Sequence, residues 1–324
     1  MKAVLCKQYG PPESLVLEDL PSPKPGPGEA VVSVKAASLN FPDVLIIQNK
    51  YQFKPPLPFS PGSELAGIVK EVGAGVAGVE ADDRVMAFTT YGAFAEEVKV
   101  EASRLLPMPR GMEFDAAAAF LLAYGTSDHA LSDRGALRPG ETLLVLGAAG
   151  GVGLAAVEIG KAIGARVIAC ASSPEKLQVC AQHGADATID YARQDLREGI
   201  KALTGGKGVD VIYDAVGGQY SEPAFRSIAW RGRHLVVGFA AGEIPKLPLN
   251  LALLKGASVV GVFWGDFVRR EPAQFAATLR RLGRWYEEGR LRPHISRTFA
   301  LGDAPEALKL MAARQVTGKV VLRI

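Results

Sequence analysis

Short apolar runs separated by proline and glycine dominate residues 1 to about 120. Two of these runs are Ala30–Ala36 and Leu65–Val69. The segments Pro21–Gly28 and Pro55–Pro58 must be loops, because proline fixes φ and has no N–H to donate. Closely spaced short strands with such turns predict a β-sandwich or a partly open barrel.

The pattern changes between Glu141 and about Gly261, where apolar strands alternate with segments of helical composition. The predicted strands are Thr142–Leu146, Arg166–Ala171, Ala187–Ile189, Val209–Tyr213, His234–Val237 and Ser258–Val262. The clearest predicted helices between them are Leu154–Ile163 and Pro174–His183. Such alternation predicts an α/β domain in which helices cover both faces of a parallel sheet.

The flanking segments set the domain bounds. The alanine-rich segment Asp115–Leu131 and residues 272–289 are predicted helices, and the tail from His294 returns to short apolar strands. That tail could complete the β-rich domain. We therefore expect one domain over residues 1–122, completed by 293–324, and a second over 123–292.

Composition narrows the class of protein. The 324 residues are 48% hydrophobic and 22% charged, with a net charge of +3, which is typical of a soluble globular protein. The sequence has no run of like charge, so we expect no nucleic-acid partner. It has no apolar stretch long enough for a membrane helix and no signal peptide at residues 1–7, so we expect neither a membrane span nor secretion. The three cysteines form no C-x-x-C pair. We expect reduced thiols and a cytoplasmic protein.

The strongest local signal is a glycine-rich turn after the strand Thr142–Leu146. The fingerprint G-x-G-x-x-G places Ala148, Gly150 and Gly153 at its three special positions. These positions tighten the turn, admit a pyrophosphate and let the helix pack on the strand. The first helical amides, including those of Gly151 and Val152, would hold the anion. The sequence therefore predicts a dinucleotide-binding (Rossmann) domain.

The next strand indicates which dinucleotide binds. NAD sites usually carry an acid at the end of this strand to bind the ribose 2′-OH. Here Ser172 and Ser173 stand at that end, followed by Lys176. Two hydroxyls and a cation suit a 2′-phosphate, which favours NADPH over NADH. Glu175 is the evidence for NADH, since its carboxylate could still meet a 2′-OH.

Several ordered motifs now identify a family. They are Ser38–Asp43, Pro61–Gly67, Asp83–Val85, Gly92–Glu96, Ala148–Gly153, Asp214–Gly218 and Thr317–Val321. With these motifs the chain resembles, over essentially its whole length, the zinc-free quinone oxidoreductases related to ζ-crystallin, within the medium-chain dehydrogenases/reductases. The resemblance implies a GroES-like β-rich domain, a Rossmann domain with a doubly wound parallel sheet, and a cleft between them.

The same resemblance bears on zinc. Zinc-dependent relatives carry a cysteine ligand near position 40 and a histidine in a G-H-E motif, where this chain has Asn40 and Ser63. Catalytic zinc needs about three protein ligands. We therefore expect no metal, and an acceptor whose negative charge is delocalised by conjugation.

The resemblance also implies site residues. Asn40 and Thr126 would lie at the nicotinamide end of the cleft, bordered by Phe239 and Phe263. Tyr191 would lie near the adenosine ribose-phosphate, and Gly217 would let the backbone pass close to the cofactor. Tyr51 is the candidate proton donor, with an aromatic wall as the alternative role.

The predicted function is NADPH-dependent reduction of a small, hydrophobic conjugated carbonyl compound such as a quinone. One alternative is an enoyl-thioester reductase of the same fold, for which Lys50, Lys54, Arg269 and Arg270 would meet the carrier phosphates. Another is a non-catalytic NADPH-binding or RNA-binding protein. The apolar segment over residues 250–264 predicts a homodimer in which the strand 258–264 pairs with its own copy.

Overall fold

The computed structural model describes all 324 residues and divides them into two compact units. The first unit comprises Met1–Leu122 and Pro293–Ile324, and the second comprises Ala123–Arg292. No helix combines the length and the apolar character needed to cross a bilayer.

The first segment of the first unit is built mainly from short strands. Its elements are β1 (Lys2–Leu5), β2 (Val16–Asp19), β3 (Glu29–Ser38), α1 (Phe41–Ile46), β4 (Glu64–Val72), β5 (Arg84–Phe88), β6 (Glu97–Glu101), β7 (Leu105–Pro107) and α2 (Phe114–Ala118). The proline-rich segments between β2 and β3 and before β4 are loops, as predicted. Extended backbone ends at each of them because proline cannot donate to a neighbouring strand.

The second unit alternates strands and helices. Its elements are α3 (Leu121–Asp128), whose first two residues belong to the first unit, a π-helical turn His129–Arg134, β8 (Thr142–Leu146), α4 (Gly151–Ile163), β9 (Arg166–Ala171), α5 (Pro174–Gln182), β10 (Ala187–Asp190), α6 (Leu196–Thr204), β11 (Val209–Asp214), α7 (Ser221–Arg226), β12 (Ile228–Val236), α8 (Leu249–Lys255), β13 (Ser258–Gly261), α9 (Trp264–Arg270) and α10 (Pro272–Glu287). All six predicted strands are present, and most of their ends lie within one or two residues of the predicted ends.

The prediction of one helix over residues 115–131 is wrong. The segment breaks after Ala118, and α3 starts a second helix. The Leu122 amide, one of the first-turn donors of α3, donates to Glu64 Oε1 at 2.8 Å. Alanine favours helix throughout this segment, but a buried carboxylate from β4 provides a cap that starts a new helix.

All neighbouring strands in the second unit are parallel, in the order β10-β9-β8-β11-β12-β13. This is the doubly wound order of a dinucleotide-binding domain, and the direction of winding reverses between β8 and β11. The side chains of β8 from Leu143 to Leu146 are fully buried, as helices on both faces require. The carboxyl ends of β8 and β11 therefore border a crevice.

The chain returns to the first unit with β14 (Ile295–Ala300), α11 (Ala304–Ala312) and β15 (Lys319–Arg323). β15 pairs antiparallel with β3 and parallel with β14, so the tail adds two strands to the sheet β14-β15-β3-β4-β5-β7. The prediction of strands alone in this tail is wrong at α11. Its buried Ala304, Ala307, Leu308 and Met311 follow the i, i+3, i+4, i+7 spacing of a helix face.

Candidate functional site

The glycine-rich turn joins β8 to α4 at the point where the winding reverses. Gly147 has φ +69°, and Gly150 is the N-cap of α4. The turn is therefore tightened at Gly147, one residue before Ala148, the position to which the sequence motif had assigned that role. A Cβ on Gly153 would lie 2.2 Å from the Gly147 oxygen, so α4 can approach the turn only with glycine there.

The same turn leaves donors available for an anion. A Cβ on Gly150 would meet only the Gly147 oxygen, at 3.5 Å, so the backbone there is open on its outer side. The amides of Gly151, Val152 and Gly153 begin a 13-residue helix and have no carbonyl of an earlier helical turn to bind. This arrangement fits a pyrophosphate at a helix N-terminus.

Side-chain hydrogen bonds from Tyr124 and Ser127 fix helix α3 to α4. Ser127 Oγ donates to the Val152 carbonyl at 2.7 Å, and its other neighbour is the Tyr213 hydroxyl at 2.9 Å. Tyr124 Oη donates to Glu158 Oε2 on α4 at 2.7 Å. Thr126 stands between these two anchors on α3, and its side chain is half-buried.

Two hydroxyls and an ammonium gather at the end of β9. Ser173 caps α5 by accepting from the Lys176 amide at 3.4 Å, and Lys176 Nζ lies 3.4 Å from Ser172 Oγ. Glu175 is on the same turn, where a hydrogen bond from Ser173 lowers the pKa of its carboxyl. The structure thus brings together the residues that favour a 2′-phosphate and the one acid that favours a free ribose.

Tyr191 follows β10 at the same edge of the sheet. Its amide donates to the Ala171 carbonyl at 3.2 Å, and its ring packs on Tyr220 with centroids 4.3 Å apart. Tyr220 was not foreseen from the sequence. The two rings form an aromatic pair next to the end of β9.

The loop after β11 is held by a buried aspartate. Asp214 Oδ1 accepts from the amides of Val216 and Gly217 at 3.0 and 2.8 Å. Its Oδ2 accepts from Ser221 Oγ at 2.5 Å and lies 3.1 Å from His234 Nε2. Although burial opposes ionisation, these hydrogen bonds lower the pKa of Asp214. The loop that carries Gly217 is thereby fixed.

Gly217 adopts φ +71° and packs against Phe239, whose Cδ1 would lie 2.9 Å from an added Cβ. Phe239 follows β12, so the backbone of one loop and the ring of the next meet at the carboxyl edge of the sheet. Phe263, after β13, is 60% exposed. Its neighbour Trp264 is buried and contacts Gly125 of α3, which brings the end of β13 towards Thr126.

The first unit holds a separate set of buried polar side chains, here called the Asn40 cluster. Its members are Ser38, Asn40, Asp43, Ser63, Glu64 and Lys319, none more than 6% exposed. Lys319 Nζ donates to Asn40 Oδ1 at 2.6 Å, to the Leu39 carbonyl at 3.2 Å and to Glu64 Oε2 at 3.3 Å. Asn40 Nδ2 lies 3.3 Å from Glu64 Oε2.

Within this cluster, Asp43 carries the carboxyl group at the start of α1. Its Oδ2 accepts from the Asn40 amide at 2.7 Å and so starts α1, while Oδ1 has no hydrogen-bond partner. Burial raises the pKa of Asp43 to about 7. The Ser63 hydroxyl is a neighbour of this carboxyl but makes no hydrogen bond of normal length.

Tyr51 is half-buried against the core of the first unit. Burial raises the pKa of its phenol, and the negative charge of Asp43 raises it further. The phenol therefore keeps its proton at neutral pH. Phe53 and Phe59 pack on Tyr91, a ring that sequence reasoning missed, with centroids 6.0 and 6.1 Å apart.

Several residues that shape both sites were also missed as functional. Asp214, Glu64 and Lys319 stand inside the family motifs, but no role was assigned to them. The available signal was a charged residue at the end of a largely apolar strand, because such a residue needs a partner where it is buried. His234 carried no comparable signal, since its partner Asp214 lies 20 positions earlier in the sequence.

Two family models match the chain. The model described as "Alcohol dehydrogenase GroES-like domain" covers residues 26–110, and the one described as "Zinc-binding dehydrogenase" covers residues 151–283. The first lies in the β-rich unit and the second in the parallel-sheet unit. Both match the predicted fold class.

Curated relatives match nearly the whole chain. Quinone oxidoreductase-like protein 2 homolog of Nematostella vectensis is 40% identical over 99% of this chain and 88% of its own length. Quinone oxidoreductase of Pseudomonas aeruginosa is 36% identical, with 99% of each chain covered.

Solved structures show the same fold. A probable oxidoreductase from Mycobacterium abscessus is 38% identical, with a TM-score of 0.91 over 100% of this chain and 99% of that one. Escherichia coli quinone oxidoreductase, solved as a complex with NADPH, is 29% identical, with a TM-score of 0.93 and full coverage of both chains. With its doubly wound sheet, its glycine turn and these relatives, the chain belongs to the quinone oxidoreductase family of the medium-chain dehydrogenases/reductases and is an oxidoreductase.

Proposed function

We propose that this oxidoreductase uses NADPH to reduce a small conjugated carbonyl compound, such as a quinone or an enone, without zinc. The observation that carries the proposal is the grouping of Ser172, Ser173 and Lys176 at the end of β9, beside the open amides of the glycine turn. The turn suits a pyrophosphate, and the grouping suits a 2′-phosphate. Bound NADPH supplies the hydride.

Relatives support both parts of the proposal. The Escherichia coli enzyme and a mycobacterial protein 30% identical to this chain were solved as complexes with NADPH. The curated relatives named above are called quinone oxidoreductases or quinone oxidoreductase-like proteins. These names favour a quinone as acceptor.

The chemistry of the Asn40 cluster supports zinc independence. An amide and a hydroxyl stand at positions 40 and 63, and both are much weaker zinc ligands than thiolate and imidazole. No group of three His, Cys, Asp or Glu side chains is placed to hold a metal. A conjugated acceptor needs no Lewis acid, because its negative charge spreads over an enolate or a hydroquinone.

The alternatives have less support. For an enoyl-thioester reductase, Lys50, Lys54 and two arginines would bind the carrier phosphates. Arg269 and Arg270 are paired with Asp266, at 2.8 and 2.9 Å, and Lys50 binds Gln48 Oε1 at 2.8 Å. For an RNA-binding protein, a net charge of +3 gives little attraction to phosphates.

We also place the protein in the cytoplasm, because its three cysteines are buried free thiols.

The direct test is oxidation of NADPH in the presence of a panel of quinones, enones and enoyl-CoA thioesters. We expect turnover with quinones or enones, and unchanged rates after exhaustive chelation. Faster turnover of enoyl-CoA than of every quinone and enone would establish the alternative reductase. Turnover of none of them would favour a non-catalytic role, and loss of activity with removal of stoichiometric zinc would refute zinc independence.

The cofactor preference is tested at Lys176. Lys176→Ala should raise the KM for NADPH about tenfold, because a charge-assisted hydrogen bond to the 2′-phosphate is lost, and should leave the KM for NADH nearly unchanged. Lys201→Ala, on the exposed face of α6, is the matched control. An equal rise for both cofactors would show that Lys176 does not recognise the 2′-phosphate.

We assign the proton transfer to Tyr51. Its phenol is protonated at neutral pH, and it lies close enough to Asp43 to respond to that carboxyl's charge. The O–H would donate its proton to the oxygen that becomes negative when the acceptor receives hydride. Asn40, held by the same cluster, would contact the nicotinamide side of the cofactor. Thr126, Phe239 and Phe263 would border the same end.

Tyr51→Phe tests this role. If the phenol supplies the proton, kcat for an enone should fall about 100-fold with little change in KM. Tyr91→Phe removes a hydroxyl from a neighbouring aromatic cluster and should leave kcat unchanged. A Tyr51→Phe variant with full kcat would assign Tyr51 to the wall of the pocket and leave the proton to water.

We further propose a homodimer through the outer edge of the second unit. β13 is the edge strand, and Leu249, Leu253 and Leu254 of α8 are 80%, 80% and 67% exposed. Residues 249–255 form a helix, but these leucines do not pack on the edge within the chain. An exposed apolar edge of this kind needs a partner, and a second copy of β13 would continue the sheet.

The backbone of β13 selects the residue for the test. Val262 N–H donates to the Val236 carbonyl of β12. The N–H groups of successive strand residues point to opposite sides, so the N–H of Val259, three residues earlier, points to the free edge. Light scattering should give twice the 34.3 kDa chain mass, and Val259→Pro should give a folded monomer. Val259→Thr keeps the N–H and should remain dimeric. A wild-type monomer at micromolar concentration would refute the assembly.

A further inference from the structure

The carboxyl end of β11 places two buried polar side chains on opposite faces of the parallel sheet. Tyr213 and Asp214 are consecutive residues of this strand, so their side chains point to opposite faces. They are 0% and 3% exposed. Each is connected, through one other residue, to one end of the glycine turn that runs from Gly147 to Gly153.

Tyr213 is connected to the helical end of the turn. The Val152 carbonyl can only accept, so the Ser127 hydroxyl donates its single proton to it, at 2.7 Å. The Ser127 oxygen must then accept the proton of the Tyr213 hydroxyl, at 2.9 Å. These three groups form a directed chain from β11 through α3 to the first turn of α4. Ser127 and Tyr213 are fully buried, so water does not compete for their hydrogen bonds.

This chain orients one of the amides available to an anion. The Val152 carbonyl and the Gly153 N–H belong to the same peptide unit, which is planar and points its two polar groups in opposite directions. Holding the carbonyl therefore sets the direction of the Gly153 N–H. That amide is one of three at the start of α4 that have no carbonyl of an earlier helical turn to bind. Ser127 thus acts on the proposed pyrophosphate site through the backbone.

Asp214 is connected to the strand end of the turn. Its carboxylate accepts from the Val216 amide at 3.0 Å, which fixes the backbone at that residue. The Val216 side chain lies against Gly147, where an added Cβ would be only 2.7 Å from Cγ2 of Val216. The Gly147 carbonyl accepts from the Gly150 amide at 3.1 Å and so closes the turn. Val216 therefore supports the residue at which the turn begins.

We propose that the end of β11 holds the glycine turn at both of its ends, in the shape that binds the pyrophosphate of the dinucleotide. The positioning residues are Tyr213 with Ser127 at the helical end, and Asp214 with Val216 at the strand end. This inference rests on the proposed function in which NADPH binds at the turn. It concerns the part of the cofactor that NADPH and NADH share, so it is independent of the role proposed for Lys176.

The first test separates positioning of the turn from stability of the fold. Ser127→Ala removes the hydrogen bond to Val152 and leaves the buried Tyr213 hydroxyl without an acceptor, so NADPH binding and the thermal midpoint should both fall. Adding Tyr213→Phe removes the unpartnered hydroxyl, so the thermal midpoint should recover much of its loss. NADPH binding should not recover, because Val152 still lacks its partner. We expect a Kd about fivefold above wild type in both variants, the effect of losing one hydrogen bond.

A comparison of ligands by titration calorimetry locates the effect at the pyrophosphate. Adenosine 2′-monophosphate carries the 2′-phosphate but no pyrophosphate, so its Kd should stay at the wild-type value in both variants. The Kd of NADH, which has the pyrophosphate, should rise by the same factor as that of NADPH. Lys176→Ala should give a different pattern, with weaker binding of NADPH and of adenosine 2′-monophosphate and unchanged binding of NADH.

Val216→Ala tests the strand end of the turn. It removes the methyl group that lies against Gly147, and we expect the Kd of NADPH to rise about threefold. Val209→Ala is the matched control, because it makes the same truncation in the same hydrophobic cluster, at the end of β11 away from the turn. Val209 is 0% exposed, so the control should lower the thermal midpoint but leave the Kd unchanged.

Any of three results overturns the inference. NADPH binding that recovers with the thermal midpoint in Ser127→Ala/Tyr213→Phe would show that Ser127 contributes stability alone. An equal rise in the Kd of adenosine 2′-monophosphate would place the effect outside the turn. A Val216→Ala protein that binds NADPH as tightly as Val209→Ala would remove the support at the strand end.

The wild-type protein separates this inference from the proposed function. Binding of NADPH without reduction of any acceptor would refute the proposed reaction and leave the inference intact. Tighter binding of NADH than of NADPH would refute the cofactor preference, and the same variants would then be compared with NADH. Binding of neither dinucleotide would refute both proposals.

Discussion

The reversal of winding between β8 and β11 is the constraint on which the cofactor site depends. All six strands are parallel, so each connection leaves the carboxyl edge and crosses one face of the sheet. The connections from β8 and those from β11 run in opposite directions along the sheet, and a crevice opens between these two strands. The glycine turn and the Gly217 loop lie on either side of that point. This strand order brings the two loops together at the carboxyl edge, where the crevice opens.

Each unit uses a buried carboxylate to hold a loop in place. Asp214 accepts two amides of the Gly217 loop, while Glu64 accepts the Leu122 amide in the first turn of α3 and the ammonium of Lys319. A buried carboxylate is costly unless it is fully hydrogen-bonded, so each fixes its neighbours as well as itself.

The features predicted from the sequence are those that local pattern determines. The strands of the second unit and the turn before α4 follow from apolar runs and from glycines close together in sequence. The break after Ala118 was missed because its cause, Glu64, is contributed by β4. The partnership of Lys319 with Asn40 was missed for the same reason, since 279 positions separate them. The helix α11 had a local signal in its apolar spacing, but its short length between two strands obscured it.

The place of β15 in the chain affects how the protein is made. β15 lies between β3 and β14 in the sheet and carries Lys319, yet it is synthesised after the whole second unit. Until residues 319–323 have left the ribosome, Glu64 has no cation beside it and β3 lacks one of its neighbours. A nascent chain can complete the second unit early, as domains commonly do during translation. The sheet of the first unit cannot be completed before this strand is made, and residues 36–38 of β3 stay unpaired on that side for the interval.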